Sequence, residues 1–176
     1  MDLQLKGKRA LVTGGSKGIG KAVARALARE GVSVALLARG IDALNAAATE
    51  LATETGQTVI GVSADTTQDA QVRAAIAAAE VALGGPIDIL VNNVGGSAKG
   101  GPVQMDEETW ERQIKSNLTS VYLSCRCVLP HMAAQKRGAI VNMASTSGIR
   151  WTGAAQSAYA ATKAGVIQFG RVVAVE

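Results

Sequence analysis

Five short apolar runs, each parted from the next by a longer segment of helical period, restrict this chain to very few folds. The runs are Ala10–Val12, Val32–Ala38, Val59–Val62, Ile87–Val91 and Ala139–Met143. They are continuous rather than alternating, the pattern of strands buried on both faces of a parallel sheet. Parallel neighbours need crossover connections, and the intervening segments are long enough to be helices. In the first, Ile19, Val23 and Leu27 share one stripe with Ala22 and Ala26 beside it. Further helices are predicted over Asp42–Glu54, Thr67–Leu83, Asp106–Gln135 and from Ser157 onward, with Thr67 and Ser157 as N-caps and Pro130 kinking the fourth. The resulting βαβαβ order predicts a doubly wound α/β sheet, and 176 residues suit a single domain spanning 1–176.

Composition removes several function classes. The net charge is +4, but the cations are scattered and no aromatic residues interleave with them, which argues against nucleic-acid binding. A mild positive excess suits a small phosphorylated ligand. The apolar runs are too short to span a membrane, and Met1 to Arg9 carries no apolar signal segment. Cys125 and Cys127 stand two apart on a predicted helix, too few and too close for a disulfide framework, so a cytoplasmic location is expected. With His131 they make a poor metal site, because residues i and i+2 of a helix point to different sides; no metal is expected.

Thr13–Gly20 reads TGGSKGIG, between the first strand and the first helix. Gly14, Gly18 and Gly20 allow a tight turn and close approach of backbone to a pyrophosphate, and the helix N-terminus offers free N–H groups to it. The dinucleotide-binding carboxylate expected about 20 residues further on is missing. Arg39 stands there instead, at the end of the second strand, and Lys17 lies inside the turn. Two cations and no acid favour a 2′-phosphate, hence NADP(H) over NAD(H). Gly95–Gly101 is a second Gly-rich loop after a strand, at the carboxyl edge of the sheet where ligands bind.

Tyr159 and Lys163 are spaced i, i+4 and share one helix face. An ammonium there favours tyrosinate and tunes the phenol toward proton exchange near neutrality. Ser145 follows the fifth strand, and its hydroxyl is placed to hydrogen-bond a substrate oxygen, with Thr146 and Ser147 as close rivals. Thr13–Gly20, Asn92–Asn93–Val94–Gly95, Ser145 and Tyr159-x-x-x-Lys163 stand in the order of the short-chain dehydrogenase/reductase family. The sequence resembles its single-domain branch, which includes 3-oxoacyl-acyl-carrier-protein reductases.

The resemblance implies a Rossmann-like sheet of order 3-2-1-4-5 and reversible hydride transfer between a nicotinamide and a carbonyl or alcohol carbon. It implies Tyr159 as acid/base, with Ser145, Lys163 and Asn117 completing the catalytic set. Asn117 is similar to the family asparagine that interrupts the fourth helix and holds a water relaying protons to Lys163. The cofactor set it implies is Thr13, Gly14, Ser16, Lys17, Gly18, Ile19, Gly20, Arg39, Asp65, Asn92 and Gly95, together with Tyr159 and Lys163. Asp65 resembles the acid that meets the adenine amino group, a turn-forming aspartate being the other reading. Val94 replaces the usual alanine.

The family's last two strands and its substrate loop have no counterpart here, and the last helical segment meets no Gly, Asn or Pro before Glu176. A longer working chain, or a partner over the fifth-strand edge, is therefore expected. The partners expected are a small carbonyl or alcohol substrate and further copies of the chain, as dimer or tetramer. The alternative is a cofactor-binding fragment without turnover. An epimerase or dehydratase of the extended branch fits less well, because its turn resembles G-x-x-G-x-x-G, one residue shorter in the first gap.

Overall fold

The computed structural model describes residues 2–176. Five strands form one parallel sheet: β1 (Arg9–Thr13), β2 (Ser33–Ala38), β3 (Val59–Ser63), β4 (Ile89–Asn92) and β5 (Ala139–Asn142), in the order β3-β2-β1-β4-β5. The helices are α1 (Gly18–Arg29), α2 (Ile41–Thr55), α3 (Asp69–Ala82), α4 (Glu107–Ile114), α5 (Ser120–Gln135) and α6 (Ser157–Val173). The doubly wound arrangement expected from the apolar runs is the one observed. β1, β2 and β4 are buried on both faces, whereas β3 and β5, at the sheet's edges, are only half covered.

The core lies in two layers, one on each side of the sheet. One packs Leu11, Leu37 and Leu90 against Val72 and Ile76 of α3 and Val121 and Val128 of α5. The other packs Val12, Val34 and Leu36 against Ala24 and Ala28 of α1 and Leu44 and Leu51 of α2. Burying these aliphatic side chains contributes roughly 1.5–3 kcal/mol each.

Two local expectations are corrected. The face α1 buries is Gly20–Ala24–Ala28, with Val23 and Leu27 at its flank and Ile19 62% exposed. Small residues win that face because they let the helix sit close on the sheet; a Cβ added at Gly20 would stand 2.3 Å from the Gly14 carbonyl oxygen. Thr67 and Ser157 are not N-caps: Gln68 and Gln156 hold those positions, and the Thr67 hydroxyl bonds Asp65 instead. Helix α5 runs through Pro130 without ending. Pro130 has no N–H to donate to the Arg126 carbonyl, and both residues are exposed.

The long Asp106–Gln135 segment is broken elsewhere. Asp106 caps α4 by accepting from the Thr109 N–H at 2.7 Å, and Lys115–Thr119 winds as a single π-turn before α5. Asn117 sits in that π-turn.

Candidate active site

The glycine turn, the Asn92–Gly95 stretch and Ser145 lie at or just beyond the carboxyl ends of β1, β4 and β5, at one edge of the sheet. The glycine turn follows β1. Gly14 and Gly18 take left-handed conformations, φ 68° and 56°, which only glycine adopts without strain. Gly20 lets α1 close onto the turn. The turn is tied to β4 by Thr13 and Asn93. The Thr13 hydroxyl accepts from the Asn93 and Val94 backbone N–H groups at 2.9 and 3.2 Å. The Asn93 amide donates to the carbonyls of Thr13 and Gly14. Thr13, given to the cofactor by the sequence reading, is buried and uses its hydroxyl to hold this junction. Asn93, read as part of the Asn92–Gly95 motif but not placed in the cofactor set, does the same from eighty residues away.

The first turn of α1 carries no acidic residue and no side-chain cap. A Cβ added at Gly18 would meet nothing within 4 Å, so the outer side of the turn is open to a ligand. Ser16 is half-buried in the turn, while Lys17 and Ile19 stand exposed at its rim. Lys21, Arg25 and Arg29 pair with Glu50 and Glu54 of α2. Among the described residues, Lys17 and Arg39 enter no ion pair. Arg39 is exposed at the end of β2, its carbonyl accepting from the Ser63 hydroxyl at 2.9 Å. The glycine turn fits the phosphates of a dinucleotide: uncapped N–H groups, an open outer side and two cations engaged in no ion pair among the described residues.

Asp65, after β3, accepts from the backbone N–H and hydroxyl of Thr67 at 2.9 and 2.8 Å. The Thr67 N–H is the main cause holding its pKa below the ordinary value, and the Arg39 charge adds to it. Asp65 thus forms its own turn as well as standing beside Arg39. Asn92 is buried, its amide donating to Asn142 at 2.9 Å and to the Cys125 thiol at 3.4 Å. Its side chain therefore joins β4, β5 and α5. Burial pushes the Cys125 thiol up to about 11, so it is inert at neutral pH. Among the described residues no group of three or more His, Cys, Asp or Glu could hold a metal ion.

Across the crevice, α6 carries Tyr159 and Lys163. The Lys163 ammonium lies 5.6 Å from the Tyr159 ring centre and donates to the Met143 carbonyl just beyond β5. Lys163 is buried, and desolvation lowers its pKa from the ordinary value. Asn117 is fully buried. Its amide donates to the Gly96 and Gln113 carbonyls at 3.0 and 3.1 Å, and its oxygen accepts from the Gly96 N–H at 3.0 Å. A Cβ added at Gly95 would stand 2.6 Å from the Asn117 oxygen and 3.5 Å from the Lys163 nitrogen. Gly95 is therefore the gap through which the π-turn and α6 meet.

Ser145 precedes a short 3₁₀ turn, Thr146–Gly148. Its oxygen accepts from the Ser147 backbone N–H at 3.2 Å, and its hydroxyl donates to the Ser147 hydroxyl at 3.2 Å. Thr146 is exposed, whereas Ser145 and Ser147 are half-buried. Gln113, which bonds Asn117 and the Ala98 N–H, and Gln156, which bonds Ser147, also belong to the site; no local spacing marks either.

A family model described as short chain dehydrogenase matches residues 8–176. The chain belongs to the short-chain dehydrogenase family. Among its relatives, the 3-oxoacyl-acyl-carrier-protein reductase of Chlamydia muridarum is 36% identical over 176 residues, all of this chain and 70% of that protein. A crystal structure from Burkholderia xenovorans superposes with a TM-score of 0.90 at 48% identity, covering 98% of this chain and 69% of that one. L-Sorbose reductase from Gluconobacter frateurii, solved with NADPH and L-sorbose, superposes at 0.93 with 32% identity, covering 99% of this chain and 66% of that one. Like other members, this short-chain dehydrogenase has an oxidoreductase's nicotinamide-binding architecture. No helix among the described residues is long and apolar enough to cross a membrane.

Proposed function

We propose that this short-chain dehydrogenase is an NADP(H)-dependent reductase that converts a ketone or 3-oxoacyl thioester to a secondary alcohol, with Tyr159 as the acid/base. The observation that supports the reading is the buried Lys163 ammonium, 5.6 Å from the Tyr159 ring centre and, with the Asn117 oxygen, close against Gly95. The preference for NADP(H) rests on Lys17 and Arg39, two exposed cations without a carboxylate partner among the described residues, and is consistent with the NADPH bound by the sorbose reductase.

The cofactor would be held by the glycine turn, the α1 N-terminus, Lys17, Arg39 and Lys163, and supplies the hydride when bound. The chain's residues handle the substrate oxygen. The Ser145 hydroxyl orients that oxygen by hydrogen bonding, and the Tyr159 phenol gives it a proton. The positive charge of Lys163 stabilises the negative charge left on the phenol oxygen. Asn117, its amide nitrogen donating among the Gly96 and Gln113 carbonyls and their neighbours and its oxygen accepting from the Gly96 N–H, holds the inner end of the path that returns a proton to Lys163. Copies of the chain assembling as a dimer or tetramer complete the proposal.

The deciding experiment is NADPH oxidation with a panel of ketones and 3-oxoacyl thioesters, wild type against Tyr159→Phe. Turnover that drops at least about 100-fold while NADPH still binds supports the assignment. NADPH binding without turnover on any carbonyl class would leave only a cofactor-binding function.

A further inference from the structure

Gln156 is the N-cap residue of α6, and its backbone is clamped to the Gly-rich loop after β4. It pairs with Gly100 in an isolated parallel bridge, Gly100 N–H donating to the Ala155 carbonyl at 2.9 Å and Ser157 N–H to the Gly100 carbonyl at 3.3 Å. This holds the side chain in place over the turn after β5. Its amide nitrogen donates to the Ser147 hydroxyl oxygen at 2.8 Å and to the Thr152 hydroxyl oxygen at 3.3 Å. The Ser147 oxygen also lies 3.2 Å from Ser145 and 3.3 Å from Thr152.

Counting donors and acceptors restricts what these hydroxyls can do. A serine oxygen accepts twice and donates once, and an amide nitrogen only donates. With Gln156 filling one acceptor position of Ser147, two arrangements remain. In one, Ser147 accepts from Ser145 and donates to Thr152; the Ser145-to-Ser147 contact suits it, and it turns the Ser145 proton inward. In the other, Ser147 accepts from Thr152 and donates to Ser145. The Ser145 oxygen then accepts from both the Ser147 hydroxyl and the Ser147 backbone N–H, so its own proton must point out of the network. The two differ by rotation of three hydroxyls, with no covalent bond made or broken.

We propose that Gln156 is a positioning residue that acts through Ser147 to aim the Ser145 hydroxyl at the substrate oxygen; this rests on the reading of Ser145 given above. A carbonyl oxygen in the crevice selects the outward arrangement because it accepts the Ser145 proton. The amide keeps the switch available, since a donor at position 156 never competes for the protons of Ser147 and Thr152. A carboxylate of the same length would do the reverse: acceptor only, it draws the Ser147 proton to itself and leaves Ser147 able only to accept from Ser145.

The test is a double-mutant cycle on the full chain, read as kcat and KM for NADPH and carbonyl substrate. Gln156→Glu is expected to lower kcat about tenfold, part of the loss seen when an oxyanion donor is removed outright, with KM for NADPH unchanged. In a Ser147→Ala background, where the inward acceptor is gone, the same change is expected to alter kcat less than about twofold. Wild-type kcat in Gln156→Glu, or an equal loss in both backgrounds, overturns the proposal. Gln156→Met, which removes the donor without adding a competing acceptor, leaves the outward arrangement open and is expected to lower kcat less than about threefold; a tenfold loss there overturns the proposal whether or not the glutamate variant folds, and NADPH fluorescence titration reports folding for each protein. Tyr159→Phe runs alongside: turnover surviving there would sink the active-site reading itself, whereas its loss together with an indifferent Gln156 sinks only the part given to Gln156.

Discussion

The Lys163 ammonium lies 5.6 Å from the centre of the Tyr159 ring, one helical turn along α6, and it is buried while it does so. A buried ammonium costs folding free energy, and desolvation accordingly lowers its pKa from 10.5. In the window between that lowered folded value and 10.5, the unfolded chain binds more protons than the folded one, so stability rises with pH there. Below the folded value the penalty is present in full. Lys163→Met removes it. The variant's Tm at pH 7 is therefore expected to equal or exceed that of wild type, with the difference shrinking as pH climbs toward 10.5. Turnover should fall at least about 100-fold in the same variant. Thermal unfolding across pH, beside an NADPH assay, checks both; a large drop in Tm at neutral pH would mean that the bond to the Met143 carbonyl outweighs the cost of burial.

Lys17 stands at the rim of the glycine turn, and Arg39 is exposed at the end of β2, where a ribose-binding carboxylate would otherwise be expected. Charge-assisted bonds to a phosphate are stronger than neutral ones. Arg39→Asp should cut kcat/KM for NADPH by about 10- to 100-fold and leave NADH equally good or better. Equal losses with both cofactors would assign Arg39 a structural role instead.

The parts of this site legible in the sequence are those whose partners are close in the chain. Tyr159 and Lys163 are four apart on one helix, and TGGSKGIG carries its own turn and helix start. The doubly wound parallel sheet followed from continuous apolar runs joined by crossovers, and its order from the family resemblance. Contacts set by the sheet's topology were not legible: Asn93 reaches the glycine turn from eighty residues away, and Asn92 faces Asn142 and Cys125 rather than the crevice. The π-turn around Asn117 was marked by the family resemblance rather than by periodicity, since Lys115–Thr119 continues the helical pattern unbroken. Ile19 fits an apolar stripe yet is exposed, because the close approach of α1 to the sheet selects glycine and alanine for the buried face.

That close approach gives the sharpest structural prediction. A Cβ at position 20 would meet the Gly14 carbonyl oxygen at 2.3 Å and the Asn93 amide nitrogen at 2.6 Å. The first is backbone and cannot rotate away, and the second could do so only by giving up its bonds to the Thr13 and Gly14 carbonyls. Gly20→Ala must push α1 off the turn, at a cost of about 2 kcal/mol, which for a chain of this size lowers Tm by about 4–8 °C. The displaced helix also carries its N–H groups away from the phosphates, so NADPH affinity should fall in step. Gly18→Ala makes the comparison: its Cβ would meet nothing within 4 Å, and only the strain of φ 56° opposes it. That variant should lose about 1 kcal/mol of stability. Differential scanning calorimetry and NADPH titration on the two proteins separate close packing from backbone strain, and equal Tm losses in both would refute the assignment of Gly20 to helix–turn contact.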